Sequence, residues 1–449
     1  MKVLLISANT ETNPYPVYPL GIDYVAGAIR ADHQVFVLDM NAIKNTDSFK
    51  VRLSEIVPDI IGISIRNVDN TDVLNPKGFI EKYREIVDRV REVTRSPVVL
   101  GGSGFTIFPE KMINSLQADF GIIGEGERFA AFLKAYEKNE DLSSLSGVIA
   151  RDAKETIPPP WNHAIQRHFD ADASHVQYYL KHGGMMNLQT KRGCNFRCIY
   201  CTYPHIEGNR PRMIPPREVA DTARMLQEAG AKFIFITDSA FNSDYPTSIE
   251  VAREFQKAKI SIPWGAFIAP THPPDDYFKI LAEAGMTHVE FGTDSLSDTV
   301  LHSCRKPFRC KDVFHAHEAA NHAGLQVCHF FLFGAPEESP ATVAETLANA
   351  ERLDRTVLFL FFGMRIYPYT RLFDIARESG QITEDEDLLA PCFFKPDLIS
   401  LSEIEKTVKA RAKNHSNWIA GAGGELTEKI VSRMHARGHA GPLWEYLIK

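Results

Sequence analysis

Apolar residues in this chain gather into short unbroken runs and do not alternate with polar ones. Val3 to Ile6, Val35 to Leu38, Ile60 to Ile65, Pro97 to Leu100 and Phe120 to Ile123 are such runs. Continuous runs of this length signal strands covered on both faces, as in a parallel sheet between layers of helix. Helix-like stretches separate them, with Leu20 to Ile29 and Phe79 to Glu92 the clearest. The pattern predicts a doubly wound, Rossmann-like α/β domain over residues 1–148.

A second series begins after a connector, residues 149–184, which opens on the stiff Ile157-Pro158-Pro159-Pro160-Trp161. Strand signals are Met186 to Thr190, Phe233 to Thr237, Ile262 to Ile268, His288 to Gly292, Gln326 to Phe333 and Val357 to Ile366. Helices fit between them at Pro216 to Ala229, Pro246 to Lys259, Asp275 to Ala284, Cys310 to Ala323 and Pro340 to Leu353. Six βα units predict a partial, open (β/α)6 barrel over residues 185–385, with chemistry at the carboxyl ends of its strands. Residues 386–449 read as a small, mostly helical region. Its stripe of Leu426, Ile430, Val431 and Met434 would pack on the core, help cap a cavity or touch a lipid surface.

Composition narrows the function. A net charge of −7 with scattered basic residues gives no support for nucleic-acid binding. Seven cysteines, an odd number with three in one tight loop, argue against a secreted disulfide scaffold. The run at Met1 to Ser7 is too short for a signal peptide, and the longest apolar run, Val357 to Met364, is less than half a bilayer span. A cytoplasmic protein is expected, with peripheral membrane contact left open.

The chemistry concentrates at Lys191-Arg192-Gly193-Cys194-Asn195-Phe196-Arg197-Cys198-Ile199-Tyr200-Cys201. Three thiolates on one loop can hold three irons of a [4Fe–4S] cube and leave the fourth open to a small molecule. A structural zinc site is the alternative, since Cys194, Cys198, Cys201 and His205 have acceptable Cys3His spacing. The strand leading into the cysteines and the βα series after them favour the cube.

This C-x3-C-x2-C run, with the aromatic Tyr200 before its third cysteine, resembles the signature of the radical S-adenosylmethionine (SAM) superfamily. The resemblance implies that SAM chelates the open iron and is split reductively to a 5′-deoxyadenosyl radical, which removes hydrogen from unactivated C–H bonds. It also implies SAM contacts at later strand ends: Asp238 in Thr237-Asp238-Ser239, Asp294 and Ser295 where the family has Glu-Ser, and Gly334 and Pro336 in Gly334-Ala335-Pro336-Glu337-Glu338. Glu337 stands where the family has glycine, which puts a positive-φ turn there in question. Asp238 alone also fits a helix N-cap. Arg305-Lys306 would be an exposed charge pair or a partner for a cofactor anion, and Cys304, Cys310 and Cys328 are too loosely spaced for a second cluster. No role is assigned to Cys392.

Three loops of the first domain carry a second resemblance: Pro19-Leu20-Gly21, Gly101-Gly102-Ser103-Gly104 and Gly124-Glu125-Gly126-Glu127. In this order they are similar to the cobalamin-binding domain that precedes many radical SAM cores. The Asp-x-His-x-x-Gly motif of other cobalamin proteins is absent, so cobalamin is expected base-off with no histidine on cobalt. His163, His168 and His175 have spacings that suit no metal site.

Together these features resemble a cobalamin-dependent radical SAM enzyme, served by an electron donor such as flavodoxin or ferredoxin. The resemblance implies methylation, or remodelling, of a lipid or other hydrophobic small molecule. The lipid expectation comes from similarity around Met186 to Gly208 to a subgroup associated with ladderane-type lipid biosynthesis. A non-methylating radical cyclase with the same cofactors, and a cobalamin sensor with a structural cluster, are the competing readings.

Overall fold

The computed structural model of the chain describes residues 1–448 apart from 13, 14, 44, 164 and 422–424, and no side chain at 425–428 or 432 is considered. The chain divides into two compact units. The first comprises Met1–Asn70, Lys77–Lys181 and His205–Gly208; the second comprises Thr71–Pro76, His182–Pro204 and Asn209–Lys449.

The first unit is built on β1 (Lys2–Ser7), β2 (Gln34–Asp39), β3 (Ile60–Ser64), β4 (Val98–Gly101), β5 (Phe120–Ile122) and β6 (Val148–Ala150). Their order across the sheet is β2-β1-β3-β4-β5-β6, parallel except for the antiparallel β6. Chain direction across the sheet reverses between β1 and β3, which is where open α/β sheets form a ligand crevice. The helices Leu20–Ile29 and Arg128–Glu137 bury Ile22, Ala26, Phe129 and Phe132 against Val3, Leu5, Val99 and Ile122. The alternate residues Leu4, Ile6, Ile61 and Ile63 are buried as well. Burial of both sets is why these strands read as unbroken apolar runs. Residues 151–181, read from sequence as a connector, lie in this unit. They are strapped over the first helix: Arg167 Nε meets Asp23 Oδ2 at 2.8 Å, and the His168 N–H donates to the Asp23 carbonyl at 2.9 Å.

Gly27 makes that strap possible, because a Cβ there would stand 2.0 Å from the Gln166 carbonyl oxygen. Gly27→Ala is expected to cost about 1–3 kcal/mol by forcing the strap off the helix, read as a lower urea midpoint. A pH effect is expected from Asp39. Burial pushes its carboxyl from 3.8 up to about 6, against the opposing pull of the Asn41 amide and the Tyr179 hydroxyl. The raised value means the folded state prefers the protonated acid. Its contribution is full below about pH 4 and is lost as pH rises to about 6. Asp39→Asn should therefore gain stability relative to wild type across that window, by on the order of 3 kcal/mol. Urea titrations at pH 4, 5 and 7 check it.

The second unit carries β7 (Met185–Leu188), the short antiparallel pair β8 (Lys191–Arg192) and β9 (Arg212–Met213), then β10 (Phe233–Ile236), β11 (Trp264–Ile268), β12 (Met286–Asp294), β13 (Gln326–Phe333), β14 (Thr356–Phe362) and β15 (Trp418–Ala420). The main sheet is parallel, in the order β15-β14-β13-β12-β11-β10-β7. The six expected strands are all present. The tail adds a seventh, β15, paired to β14 from Leu358↔Trp418, so it is helical only in part. One face packs on helices, with Phe331, Phe333, Leu358 and Leu360 against Val343, Leu347, Ile404 and Val408. Of the tail stripe, Leu426 lies outside the described side chains, Ile430 is exposed, and Val431 and Met434 are half-buried. Among the described residues no helix is long and apolar enough to cross a membrane.

Candidate active site

The cysteine loop leaves the sheet through β7 and β8, and apolar anchors fix it. Ile199 is buried; its N–H donates to the Cys304 carbonyl at 3.2 Å, and its own carbonyl accepts from Leu372 N–H at 2.8 Å. Phe196 packs against the core under β13 and β14. Gly193 bends the chain into the loop at φ 85°, a conformation costly for any other residue.

Asp238 secures the entry to the loop. Its carboxylate accepts the Thr190 N–H at 2.8 Å, the Thr190 hydroxyl, and the Lys191 ammonium at 3.1 Å. Lys191 also donates to the Phe241 carbonyl at 2.8 Å. Asp238 is thus committed to the residues just before Cys194, and the N-cap of the helix that follows is Asp244.

A second bracket holds the far end. The Tyr200 hydroxyl donates to Asp294 Oδ2 at 2.5 Å, and Lys306 Nζ reaches the same oxygen at 2.9 Å. Burial opposes the charge on Lys306, but the Asp294 carboxylate outweighs it, so the ammonium is held more firmly than usual. Lys306 is therefore part of the site, whereas Arg305 is exposed. Asp294 sits at φ 61°, which turns the end of β12 toward these partners.

The remaining residues expected to touch SAM lie at the next strand ends. Ser295 Oγ is 2.9 Å from Thr346 Oγ1 and accepts the Ser297 N–H at 3.1 Å. In the loop after β13 the positive φ falls on Gly334, at 107°, and not on Glu337. The loop closes on Glu338, whose Oε2 accepts the Gly334 N–H at 2.9 Å and the Ala335 N–H at 3.3 Å. Pro336 is half-buried beside it. Sequence reading missed the role of Glu338, which closes on backbone three and four residues before it, and the bracket of Lys306, whose partner Tyr200 lies 106 residues away.

The donor set fits an iron–sulfur cube. All seven cysteines are free. Burial raises the Cys198 thiol and pushes Cys201 up to about 12, so these thiols stay protonated until a metal displaces the proton. Among the described residues no three His, Cys, Asp or Glu side chains converge where one metal ion would sit. His205, the fourth ligand of the zinc alternative, instead has Nε2 3.1 Å from the Thr106 carbonyl. Cys304 and Cys328 are buried, and Cys310 and Cys392 half-buried, with no cluster of ligands around them among the described residues.

In the first unit the three glycine loops all lie at the carboxyl edge of the sheet. Their glycines divide into two kinds. A Cβ at Gly102 would be 2.5 Å from the Ile65 carbonyl oxygen, and one at Gly126 would be 2.4 Å from Val25, so both serve internal packing. A Cβ at Gly21 would meet nothing within 4 Å, one at Gly101 only the Ile122 carbonyl at 3.9 Å, and one at Gly124 only Pro158 at 3.5 Å. Those three leave backbone bare at the ligand edge, which fits a large flat group. Pro19 and Leu20 open the helix Leu20–Ile29. Glu125 accepts the Trp161 N–H at 2.6 Å, and Glu127 is buried at the start of the helix Arg128–Glu137. Glu125 thus ties the loop to the Trp161 backbone. His168 pairs with Arg30, and His175 stacks on Tyr18 6.2 Å away, so neither is set up as a ligand.

Comparison with known proteins accords with both halves. Residues 188–350 match the Radical SAM superfamily and residues 6–133 the B12 binding domain. The chain is a cobalamin-binding radical SAM enzyme. Its cofactors are a [4Fe–4S] cluster, SAM and cobalamin. It is 23% identical over 446 residues to tryptophan 2-C-methyltransferase of Streptomyces laurentii, covering 82% of this chain and 73% of that protein. It is 26% identical over 393 residues to an uncharacterized methyltransferase of Pyrococcus horikoshii, covering 84% and 83%. Cytidylyl-2-hydroxyethylphosphonate methyltransferase of Streptomyces wedmorensis is 23% identical over 401 residues, covering 75% and 73%. The fold matches that of the radical SAM methyltransferase TsrM from Kitasatospora setae, solved with cobalamin and a [4Fe–4S] cluster. The TM-score is 0.85 at 20% identity, covering 99% of this chain and 97% of that one.

Proposed function

We propose that this cobalamin-binding radical SAM enzyme transfers a methyl group from SAM to a small molecule. The observation that carries the reading is the pairing of the two modules in a chain whose relatives, over more than four-fifths of its length in two cases, are methyltransferases. Named substrates among them are tryptophan and a cytidylyl phosphonate. They lend the lipid expectation, and the ladderane link with it, no support.

When bound, the cluster supplies the electron for opening SAM and cobalamin carries the methyl group. The residues proposed to hold the cluster are Cys194, Cys198 and Cys201. Asp238 and Asp294 hold the two ends of their loop, while Ser295, Gly334 and Pro336 shape the strand ends proposed to receive SAM. Gly21, Gly101 and Gly124 are proposed to lie against the corrin, within a cobalamin domain of residues 1–148. The SAM domain is proposed to span 185–385. A small reducing protein such as flavodoxin or ferredoxin is the proposed electron source.

Coproducts test the reading. Reconstituted without oxygen and given SAM, reductant and a metabolite extract, the enzyme should release S-adenosylhomocysteine only when cobalamin is present. SAM carrying a trideuterated methyl should mark one metabolite. Release of 5′-deoxyadenosine with no S-adenosylhomocysteine and no labelled product would favour a radical cyclase instead.

A further inference from the structure

Among the described residues, the helix layer packed on Phe331, Phe333, Leu358 and Leu360 leaves the opposite face of the second sheet to the short tail segment around Trp444. Phe291 of β12 points at the helix layer, its ring 6.0 Å from Phe278, and His329 of β13 bonds to His317 of the helix Cys310–His322. The residues between them in register face the other way. There Phe330 stacks on Phe359 at 5.0 Å and on Phe361 at 6.1 Å, and Phe267 stands 6.1 Å from Phe330 and 4.9 Å from Phe235. Phe267 is 38% exposed, and Phe330, Phe359 and Phe361 are half-buried. Aromatic rings left open in a group mark a ligand surface more often than a finished core.

Two residues of β12 give this surface a shape. Gly292 pairs in register with Phe330, and a Cβ built on it would meet no atom within 4 Å. Its φ is not positive and no packed neighbour calls for glycine, although the register with β13 shifts between Gly292 and Asp294. Space is what the missing side chain provides. Two residues earlier on the same face is Glu290, 3% exposed. Among the described residues its carboxyl takes one hydrogen bond, from Trp444 Nε1 to Oε1 at 2.9 Å. Trp444 itself packs with Cys328 and Val357 and closes this end of the face. A buried acid with an oxygen to spare, among aromatic rings, is an acceptor for a ligand donor. Burial pushes that carboxyl up to about 7, so a neutral N–H and an ammonium could each be received.

We propose that this face is a pocket for a planar aromatic molecule bearing an N–H group, with Gly292 clearing room for the ring and Glu290 accepting the hydrogen. Gly292 is then a specificity-determining residue and Glu290 a binding residue. The inference rests on the reading that the substrate is a small molecule, and it narrows the class away from lipids and phosphonates.

Equilibrium dialysis of the full chain, loaded with cluster, cobalamin and S-adenosylhomocysteine, against indole and 1-methylindole tests it. Indole should bind about tenfold more tightly than 1-methylindole, which lacks the donor. Glu290→Gln, which keeps an acceptor for Trp444, should erase that preference. Gly292→Leu should weaken both probes at least tenfold, and Gly292→Ala, a milder variant, should do so by a smaller factor with unchanged thermal unfolding. Failure of wild type to hold indole, equal binding of the two probes, or indifference to both Gly292 variants overturns the proposal. Cobalamin-dependent release of S-adenosylhomocysteine is measured separately, so methyl transfer can stand while this pocket falls.

Discussion

Cys198→Ala, purified and reconstituted without oxygen, is expected to lose its iron and all SAM-dependent turnover. Cys194, Cys198 and Cys201 are the thiols the loop presents; Ile199 holds the loop through the Cys304 and Leu372 backbone, and Tyr200 holds its far end through Asp294. With one thiol gone, two irons of the cube lack a protein ligand, and the cube no longer has the tripod that leaves a single corner for SAM. Iron should fall from roughly four per chain to near none, with the visible cluster absorption lost. Formation of 5′-deoxyadenosine and S-adenosylhomocysteine should fall at least about 10³-fold, equivalent to ~4 kcal/mol. Thermal unfolding of the metal-free proteins separates this from misfolding: Cys198 is not part of the helix-facing core, so the two should unfold alike. Full iron with unchanged turnover in the variant would remove the cluster from these cysteines.

The second large effect is expected at Asp238. Removing its carboxylate in Asp238→Ala strands the Lys191 ammonium, 3% exposed, and takes away the acceptor of the Thr190 amide. Leaving a buried charge without its partner costs about 3–5 kcal/mol. For a unit of this size the urea midpoint should fall by about 1–2 M. Asp238→Asn keeps an acceptor for Thr190 but not the charge, and should lie between the two. Because Thr190 and Lys191 lead directly into Cys194, the alanine variant should also release iron faster under chelator. A wild-type urea midpoint in Asp238→Ala would mean that the buried pair contributes nothing.

Much of the fold was legible because burial leaves a local record. Strands buried on both faces must be apolar at nearly every position, so β1, β3 and β10 appear as runs in the sequence. The cluster was legible for a similar reason, since three ligands on one loop must be close in sequence. The edge strands left weaker signals. Trp418–Ala420 is three residues long and half-exposed, and nothing in so short a run tells a strand from the end of a helix. The antiparallel β6 begins at Val148, the residue where sequence reading ended the first domain.

The chain alone determined which chemistry is present: a cysteine tripod after a strand, glycine loops after three others, and the layered α/β order around them. Only tertiary structure decided what each charged residue near the tripod does. Tyr200, Asp294 and Lys306 meet across about a hundred residues of sequence, and Asp238 turns back to Thr190 and Lys191 rather than capping its own helix. Periodicity and spacing report what a segment must bury, whereas the partner of a buried charge is fixed by where distant strand ends arrive together.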